Sequence, residues 1–141
     1  MHALLTRVLT TSQLALVFQF MRFGTVGAMG FTVDNILVYS LRPFVGLYWG
    51  GALSYLGSAT FTWLINRLWT FRGRGRGGAV HRQWALFVAA NFIGFTLNRG
   101  TYFILITISP FCADYPVAAI FAGTLMGMFM NFHMSRKVVF R

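Results

Sequence analysis

The chain has 141 residues with 12 Lys and Arg against 2 Asp and Glu, a net charge of +10, yet 57% of its residues are apolar and 18% are aromatic. Only 10% of the residues are charged, whereas a soluble domain carries about a quarter, so the charges cannot cover a globular surface. So many aromatic side chains also exclude intrinsic disorder. The composition therefore predicts a single-domain integral membrane protein, in which apolar surface faces lipid and charges lie at the ends of the spans.

The predicted elements begin with residues 1–20, an amino-terminal segment that we interpret as a short interfacial helix without a signal-cleavage site. Residues 21–141 form the predicted transmembrane domain. Four windows are long and apolar enough to span a membrane, namely residues 23–41, 46–65, 84–108 and 117–134. Short connections with prolines join the first window to the second and the third to the fourth. Between these pairs lies a flexible, basic loop, residues 67–83, with alternating glycine and arginine.

The distribution of basic residues predicts the orientation. Every Lys and Arg except Arg42 and Arg99 lies before the first span, in the basic loop or at the carboxyl end. By the positive-inside rule, both termini and the basic loop are expected in the cytoplasm, with the protein in the inner (plasma) membrane. Arginine outnumbers lysine, which occurs once, so the charge favours contact with anionic lipid phosphates. We expect no nucleic-acid partner, because that would require a soluble basic face.

The chain matches itself at two nearly equal offsets. Residues 23–34 match residues 87–98 at an offset of 64, with Phe, Gly, Phe and Thr in common positions. Residues 62–71 match residues 131–140 at an offset of 69, including an Arg at the helix end and a Phe four residues later. We interpret this as a duplication. The predicted fold is therefore an all-α, integral membrane four-helix bundle built from two tandem helical hairpins, which are parallel because each has an even number of spans.

The same residues resemble the GtrA-like membrane protein family. Phe23-x-x-Val26-Gly27 opens the first span, Asn66-Arg67-x-Trp69-x-Phe71 closes the second, and the weaker Ser135-Arg136-x-Val138-Val139-Phe140 closes the fourth. The resemblance covers about residues 20–141, with Thr62 and Trp63 departing from the usual pattern. It implies a link to cell-surface polysaccharide synthesis and the movement of polyprenyl-phosphate-linked sugars across the membrane. The resemblance also suggests a polyprenyl-phosphate glycosyltransferase as a partner, because similar helices occur fused to such enzymes.

The arginines at matching helix ends are the first candidate site. Arg67 and Arg136 lie at the predicted cytoplasmic ends of the second and fourth spans, and guanidinium groups bind phosphate oxygens in a bidentate manner. Each has an asparagine within a turn or so, Asn66 and Asn131, whose amide could bind phosphate or sugar hydroxyls. Arg22 and Lys137 are weaker candidates of the same kind. The alternative is that these basic side chains only anchor the topology by reaching to the interface.

Asp34 and Arg99 form the second candidate site. Asp34 lies about 18 Å of helix rise beyond Arg22, and Arg99 about 24 Å beyond Gln83, so both are expected deep in their spans. Charges there are costly unless they are paired or hydrated. One interpretation is a buried ion pair that holds the two hairpins together. The other is that Arg99 contacts the substrate in transit and that Asp34 holds Arg99 in the meantime.

Small residues recur at intervals of four in the second and fourth spans, which favours close helix packing within the protein or between protomers. Four helices enclose little space for a polar headgroup, so we expect a homodimer or a larger homo-oligomer. Catalysis is poorly supported: the chain has no Glu, and His2, His81 and His133 lack metal-ligand spacing. We expect no metal or cofactor.

The sequence therefore predicts a non-enzymatic protein that translocates a polyprenyl-phosphate-linked monosaccharide. Two alternatives stay open. One is a membrane adaptor that recruits a glycosyltransferase through the basic loop. The other is a small multidrug exporter, which is disfavoured by the absence of a membrane-embedded Glu and by the many arginines.

Overall fold

The computed structural model describes residues 10–75 and 77–141, without the side chains of Leu47, Tyr48 and Pro116. Every regular element in these ranges is helical, which confirms the predicted all-α class. In chain order the elements are α1 (Thr11–Ile65), a π-helix (Asn66–Thr70), α2 (Val80–Ile108), α3 (Pro110–Asp114), α4 (Pro116–Met134) and a second π-helix (Ser135–Val139). The first nine residues of the predicted interfacial segment, and Arg76 of the basic loop, lie outside the described residues.

Helix α1 begins at a capping box. The backbone N–H of Gln13 donates to Thr10 Oγ1 over 3.4 Å, and the backbone N–H of Thr10 donates to Gln13 Oε1 over 2.8 Å. These two bonds satisfy donors that a helix start leaves without intrahelical partners. From there the helix continues without a break into the predicted first span, so residues 11–20 and that span form one continuous helix.

A sharp kink at Gly46 divides α1 into two arms, residues 11–45 and 47–65. Gly46 has φ 79° and ψ 172°, a conformation that side-chain-bearing residues rarely adopt. Pro43, one turn earlier, lacks the N–H that a continuing helix needs. The predicted connection between the first two spans is therefore a helix kink instead of a loop.

The two arms of α1 pack against each other as a hairpin, which we call the first hairpin. Ser58 Oγ in the second arm donates to the backbone oxygen of Gly30 in the first over 2.8 Å. A Cβ at Gly30 would overlap the Thr62 side chain, so the absence of a side chain is what permits this close approach. At the open end of the hairpin, the rings of Phe23 and Phe71 meet edge to face with centroids 6.1 Å apart.

Helices α2 and α4 form the second hairpin, with the short α3 at its tip. A Cβ at Gly94 of α2 would overlap the amide of Asn131 in α4, and Gly123 of α4 lies against the backbone oxygen of Asn98. At the open end, Phe87 and Phe140 meet edge to face, again with centroids 6.1 Å apart. The small residues predicted to favour packing do so here, within the hairpin.

The chain divides into two compact units, Met1–Arg74 and Gly75–Arg141, and each contains one hairpin. Two features recur in these units at the offsets that the sequence predicts. The Phe23–Phe71 pair maps onto the Phe87–Phe140 pair at the offsets of 64 and 69 read from the sequence. The two π-helices, at residues 66–70 and 135–139, are related by the same offset of 69.

Two helical segments of the described chain are long and apolar enough to cross a membrane by length and composition, Thr11–Gly46 and Val117–Val139. They include the predicted first and fourth spans. The predicted second and third spans are also helical but are not among these two segments. Glycines and hydroxyl-bearing residues lower the mean hydropathy of the second span. Asparagines and Arg99 lower the mean hydropathy of the third. The four-span bundle therefore stays a prediction.

The basic loop is shorter in the structure than predicted, because its first residues are π-helical and its last ones belong to α2. The irregular part comprises residues 71–75 and 77–79. Its hydrogen bonds include one from the backbone N–H of Arg74 to the oxygen of Phe71 over 3.0 Å and one from Gln83 Nε2 to the oxygen of Gly75 over 2.9 Å.

Candidate functional site

The open end of the first hairpin, which we call the first-hairpin end, is built by the π-helix that follows α1. The backbone N–H of Phe71 donates to the oxygen of Asn66, five residues earlier, over 2.8 Å. This wider turn places both Asn66 and Thr70 in the interior, where they are 1% and 5% exposed. Phe71, the residue after Thr70, is fully buried and packs on Phe23. Isolated π turns of this kind are frequent at functional sites.

Two arginines stack on tryptophans at the first-hairpin end. The Arg67 Cζ lies 5.8 Å from the Trp63 ring centroid, and the Arg22 Cζ lies 5.7 Å from the Trp69 ring centroid. Arg67 is half-buried, whereas Arg22 is exposed. Stacking on an indole face restricts a planar guanidinium group to few orientations, which suits it to bind a phosphate. The structure thus brings together three predicted site residues, Asn66, Arg67 and Arg22.

The second-hairpin end, at the second π-helix, repeats this backbone. The N–H of Phe140 donates to the oxygen of Ser135 over 2.8 Å, as in the first hairpin. Two predicted site residues, Arg136 and Lys137, belong to this π turn. Arg136 is half-buried and Lys137 is exposed. Arg141 Nε donates to the Lys137 oxygen over 3.1 Å, which adds a third positive charge to the same end.

Asn131 does not occupy the place of Asn66. It lies one turn before the second π-helix, where its amide packs against Gly94 between the two helices of the hairpin. The residue that aligns with Asn66 is Ser135, which is 1% exposed. The predicted pairing of each arginine with an equivalent asparagine is therefore only approximate: one asparagine is at the hairpin end and the other lies deeper.

Two glutamines that the sequence analysis did not identify also occupy matching positions. Gln19 Nε2 donates to the oxygen of Thr70 over 3.3 Å in the first hairpin. Gln83, which is buried, donates to the oxygen of Gly75 in the second unit. The acceptors differ: Gln19 binds the carbonyl of the last residue of the first π-helix, whereas Gln83 binds a loop carbonyl ahead of its own helix. The offset of 64, extended four residues before Phe23, would have revealed this pair.

Asp34 and Arg99 lie away from the hairpin ends. Asp34 is half-buried in the first arm of α1, one turn beyond Gly30, at the level where the two arms touch. Arg99 is exposed on α2, with its Cζ 5.6 Å from the Phe95 ring centroid. The two residues belong to different units, and their pairing stays a prediction.

The electrostatics of the two hairpin ends are one-sided. The only acids of the chain are Asp34 and Asp114, which lie in the middle of the first hairpin and at the tip of the second. Neither hairpin end therefore includes an acidic side chain to neutralise its arginines, and both are suited to bind an anion. Within residues 10–75 and 77–141, no three His, Cys, Asp or Glu side chains come together as metal ligands.

A family model described as "GtrA/DPMS, transmembrane domain" matches residues 22–140. This range includes the second hairpin, the first hairpin from Arg22 onwards and every site residue predicted from the sequence. A comparison with curated proteins finds no match to the chain.

Proposed function

Because the chain belongs to the GtrA/DPMS transmembrane-domain family, we propose that it translocates a polyprenyl-phosphate-linked monosaccharide across the inner membrane. The physical task is to pass a charged, hydroxylated headgroup through the bilayer while the isoprenoid tail remains in lipid. The cost of moving such a headgroup without protein contacts is high, because charged and polar groups are poorly solvated in hydrocarbon. The proposed activity is transport, and no bond is made or broken.

The observation that carries this proposal is the pair of basic hairpin ends without acids. Arg67 and Arg136 occupy matching positions beside buried π turns, and both are half-buried. A guanidinium group at the boundary between lipid and water can bind a phosphate in a bidentate manner while the lipid tail stays in the bilayer. We assign the initial phosphate contacts to these two arginines, with support from Arg22 and Lys137.

The passage of the headgroup would continue from the hairpin ends towards the level of Asp34 and Arg99. The proposed orientation has both termini and the basic loop in the cytoplasm, so that Arg67 and Arg136 meet substrate on the cytoplasmic side. A homodimer or larger assembly would supply the space that one chain lacks. Anionic lipids are the expected neighbours of the remaining exposed arginines.

The experiment is a flipping assay with purified protein in liposomes that contain a fluorescently labelled polyprenyl-phosphate sugar. Wild-type protein should make the label accessible to a membrane-impermeant quencher. Arg67→Ala and Arg136→Ala should each reduce the initial rate by about tenfold or more, because each removes a charge-assisted phosphate contact. The matched control is Arg82→Ala, which removes the same charge from an exposed residue at the start of α2.

The results for these variants separate a phosphate contact from a general effect of charge. Arg67→Lys should restore little activity if the guanidinium geometry matters, since an ammonium group cannot bind a phosphate in a bidentate manner. Unchanged flipping in both alanine variants, with folded protein, would contradict the assignment of these residues. If wild-type protein flips none of a panel of lipid-linked sugars, the transport proposal itself fails.

A non-transporting adaptor is the second candidate, and it is favoured by one observation. Arg72 and Arg74 are exposed in a loop that has defined backbone contacts, as expected of a surface that docks a membrane glycosyltransferase. Replacing both with Gln separates the candidates. The adaptor proposal predicts lost polysaccharide synthesis in cells together with absent flipping by the wild-type protein in liposomes. The transport proposal predicts that flipping by the purified double variant is unchanged.

A further inference from the structure

Three buried polar atoms at the first-hairpin end have no hydrogen-bond partner among the described residues. They are Trp63 Nε1, Asn66 Oδ1 and Thr70 Oγ1. Their residues are 8%, 1% and 5% exposed, so water does not reach them from the surface. The spacing of three and then four residues places them along one stripe of the helix end.

The fold does not require these polar groups. The equivalent residues of the second hairpin, at the offset of 69, are Phe132, Ser135 and Val139, and all three are buried to the same degree. The second hairpin nevertheless has the same π turn and the same edge-to-face Phe pair. Buried polar groups without partners destabilise a protein. Since the fold does not need these three groups, their presence requires another explanation.

The three groups are complementary to a sugar ring. The Trp63 indole N–H is a donor, the Asn66 Oδ1 is an acceptor, and the Thr70 hydroxyl is both. Sugar hydroxyls also donate and accept, so adjacent hydroxyls of one ring can bind two or three of these groups. A phosphate, which only accepts, cannot bind the Asn66 oxygen. In the same hairpin end, Arg67 stacks on Trp63, which places a phosphate ligand next to this polar stripe.

We propose that the first-hairpin end alone recognises the sugar of the lipid-linked substrate, through Trp63, Asn66 and Thr70. This inference rests on the proposed translocation of a polyprenyl-phosphate sugar and adds that the two hairpins have different tasks. Both ends contribute arginines for the phosphate, but among the described residues the stripe of three unpaired polar groups occurs only at the first-hairpin end. The second hairpin has one such atom, Asn131 Oδ1, which lies deeper, where the Asn131 amide packs against Gly94. Because the three atoms are buried, the hairpin end opens to admit the ring, and displacement of Arg67 from Trp63 by the phosphate is the step that couples binding to opening.

The test replaces Asn66 and Thr70 by their counterparts, in the double variant Asn66→Ser and Thr70→Val, and keeps Trp63 because the phosphate-binding Arg67 stacks on it. Binding in detergent is measured for two probes, a polyprenyl phosphate and the same lipid carrying glucose, mannose or galactose, whichever the wild type binds most tightly. The preference of the wild type for the sugar-bearing probe should fall by about tenfold or more, while affinity for the bare phosphate stays within about twofold. The thermal midpoint should stay equal or rise, because buried unpaired groups have been removed.

The matched control is Ser135→Ala, which alters the equivalent buried position of the second hairpin and should leave the sugar preference unchanged. If the double variant does not fold, Thr70→Val alone serves, since it keeps the side-chain shape and matches Val139. An unchanged sugar preference in the variant overturns the inference, as does an equal loss for both probes. A loss of preference in Ser135→Ala overturns the asymmetry. If wild-type protein binds and flips neither probe, the proposed function fails as well, which is a separate result.

Discussion

The closest approach of a glycine to a neighbouring backbone in the second hairpin gives a quantitative prediction for Gly123→Ala. A Cβ at Gly123 would lie 2.5 Å from the backbone oxygen of Asn98, whereas ordinary contact begins at 3.4 Å. The helices must therefore separate by about 0.9 Å at this point, because a backbone oxygen in the middle of α2 cannot rotate away as a side chain would. Overpacking of this kind costs about 2–3 kcal/mol, and alanine returns about 1 kcal/mol of helix propensity. The expected net loss in the free energy of unfolding is about 1–2 kcal/mol.

Gly100→Ala is the matched control for this variant. Gly100 lies in α2 of the same hairpin, and a Cβ there meets nothing within 4 Å. The substitution should therefore stabilise the protein by about 0.5–1 kcal/mol through helix propensity alone. The two variants add the same methyl group, yet they should change the free energy of unfolding in opposite directions and differ by about 1.5–3 kcal/mol.

The assay is equilibrium unfolding in mixed micelles of a mild detergent with increasing SDS, followed by far-ultraviolet circular dichroism, with thermal midpoints as a second measurement. Gly100→Ala should shift the midpoint to higher SDS, and Gly123→Ala to lower SDS. If Gly123→Ala is as stable as Gly100→Ala, the contact with Asn98 is not tight and the inferred packing of the second hairpin is wrong.

Three further predictions follow from the hairpins and the proposed orientation. Phe71→Ala should destabilise the first hairpin by about 3–5 kcal/mol, because the ring is fully buried, whereas Phe31→Ala, at a position 72% exposed, should change the SDS midpoint little. Exchanging charges with Asp34→Arg and Arg99→Asp should give folded protein that does not flip substrate if these residues contact it; restored flipping would instead support a purely structural ion pair. Arg74→Cys, in a background without the native cysteine, should react with an impermeant maleimide only in inverted membrane vesicles, and labelling of intact cells would reverse the proposed orientation.

The repeat was predictable from the sequence because it rests on residues with distinctive side chains. Phe23, Phe71, Phe87 and Phe140 are read directly at the two offsets, and the structure pairs them within each hairpin. The arginines at the helix ends were predictable for a similar reason. Charges are scarce in such a chain, so their positions are informative. The helical class followed from apolar windows of sufficient length.

Other features depend on backbone geometry that composition does not specify. The π turns arise from bonds between residues five apart, and the sequences NRLWT and SRKVV share only the Arg in second position. The first connection was predicted as a loop because Pro43 ends a straight helix, but the chain reverses at Gly46 and keeps helical geometry on both sides. The spacing of residues alone does not give side-chain burial. It therefore predicts neither the depth of Asn131 nor the lack of a hydrogen-bond partner for Trp63 Nε1.

Comparing the two hairpins separates structural residues from candidates for specificity. The Phe pair at each open end has the same centroid distance, and each π turn has the same 2.8 Å bond, so these features hold the ends together in both copies. Since the second copy retains them with Val139 where the first has Thr70, the polar residues contribute nothing that this framework needs. These polar residues can therefore differ between the two copies according to the ligand that each copy binds. A hairpin end closed by an aromatic pair can change its hydrogen-bonding groups without losing its shape. In the proposed arrangement, both copies of the hairpin can therefore contact the phosphate while one copy contacts the sugar.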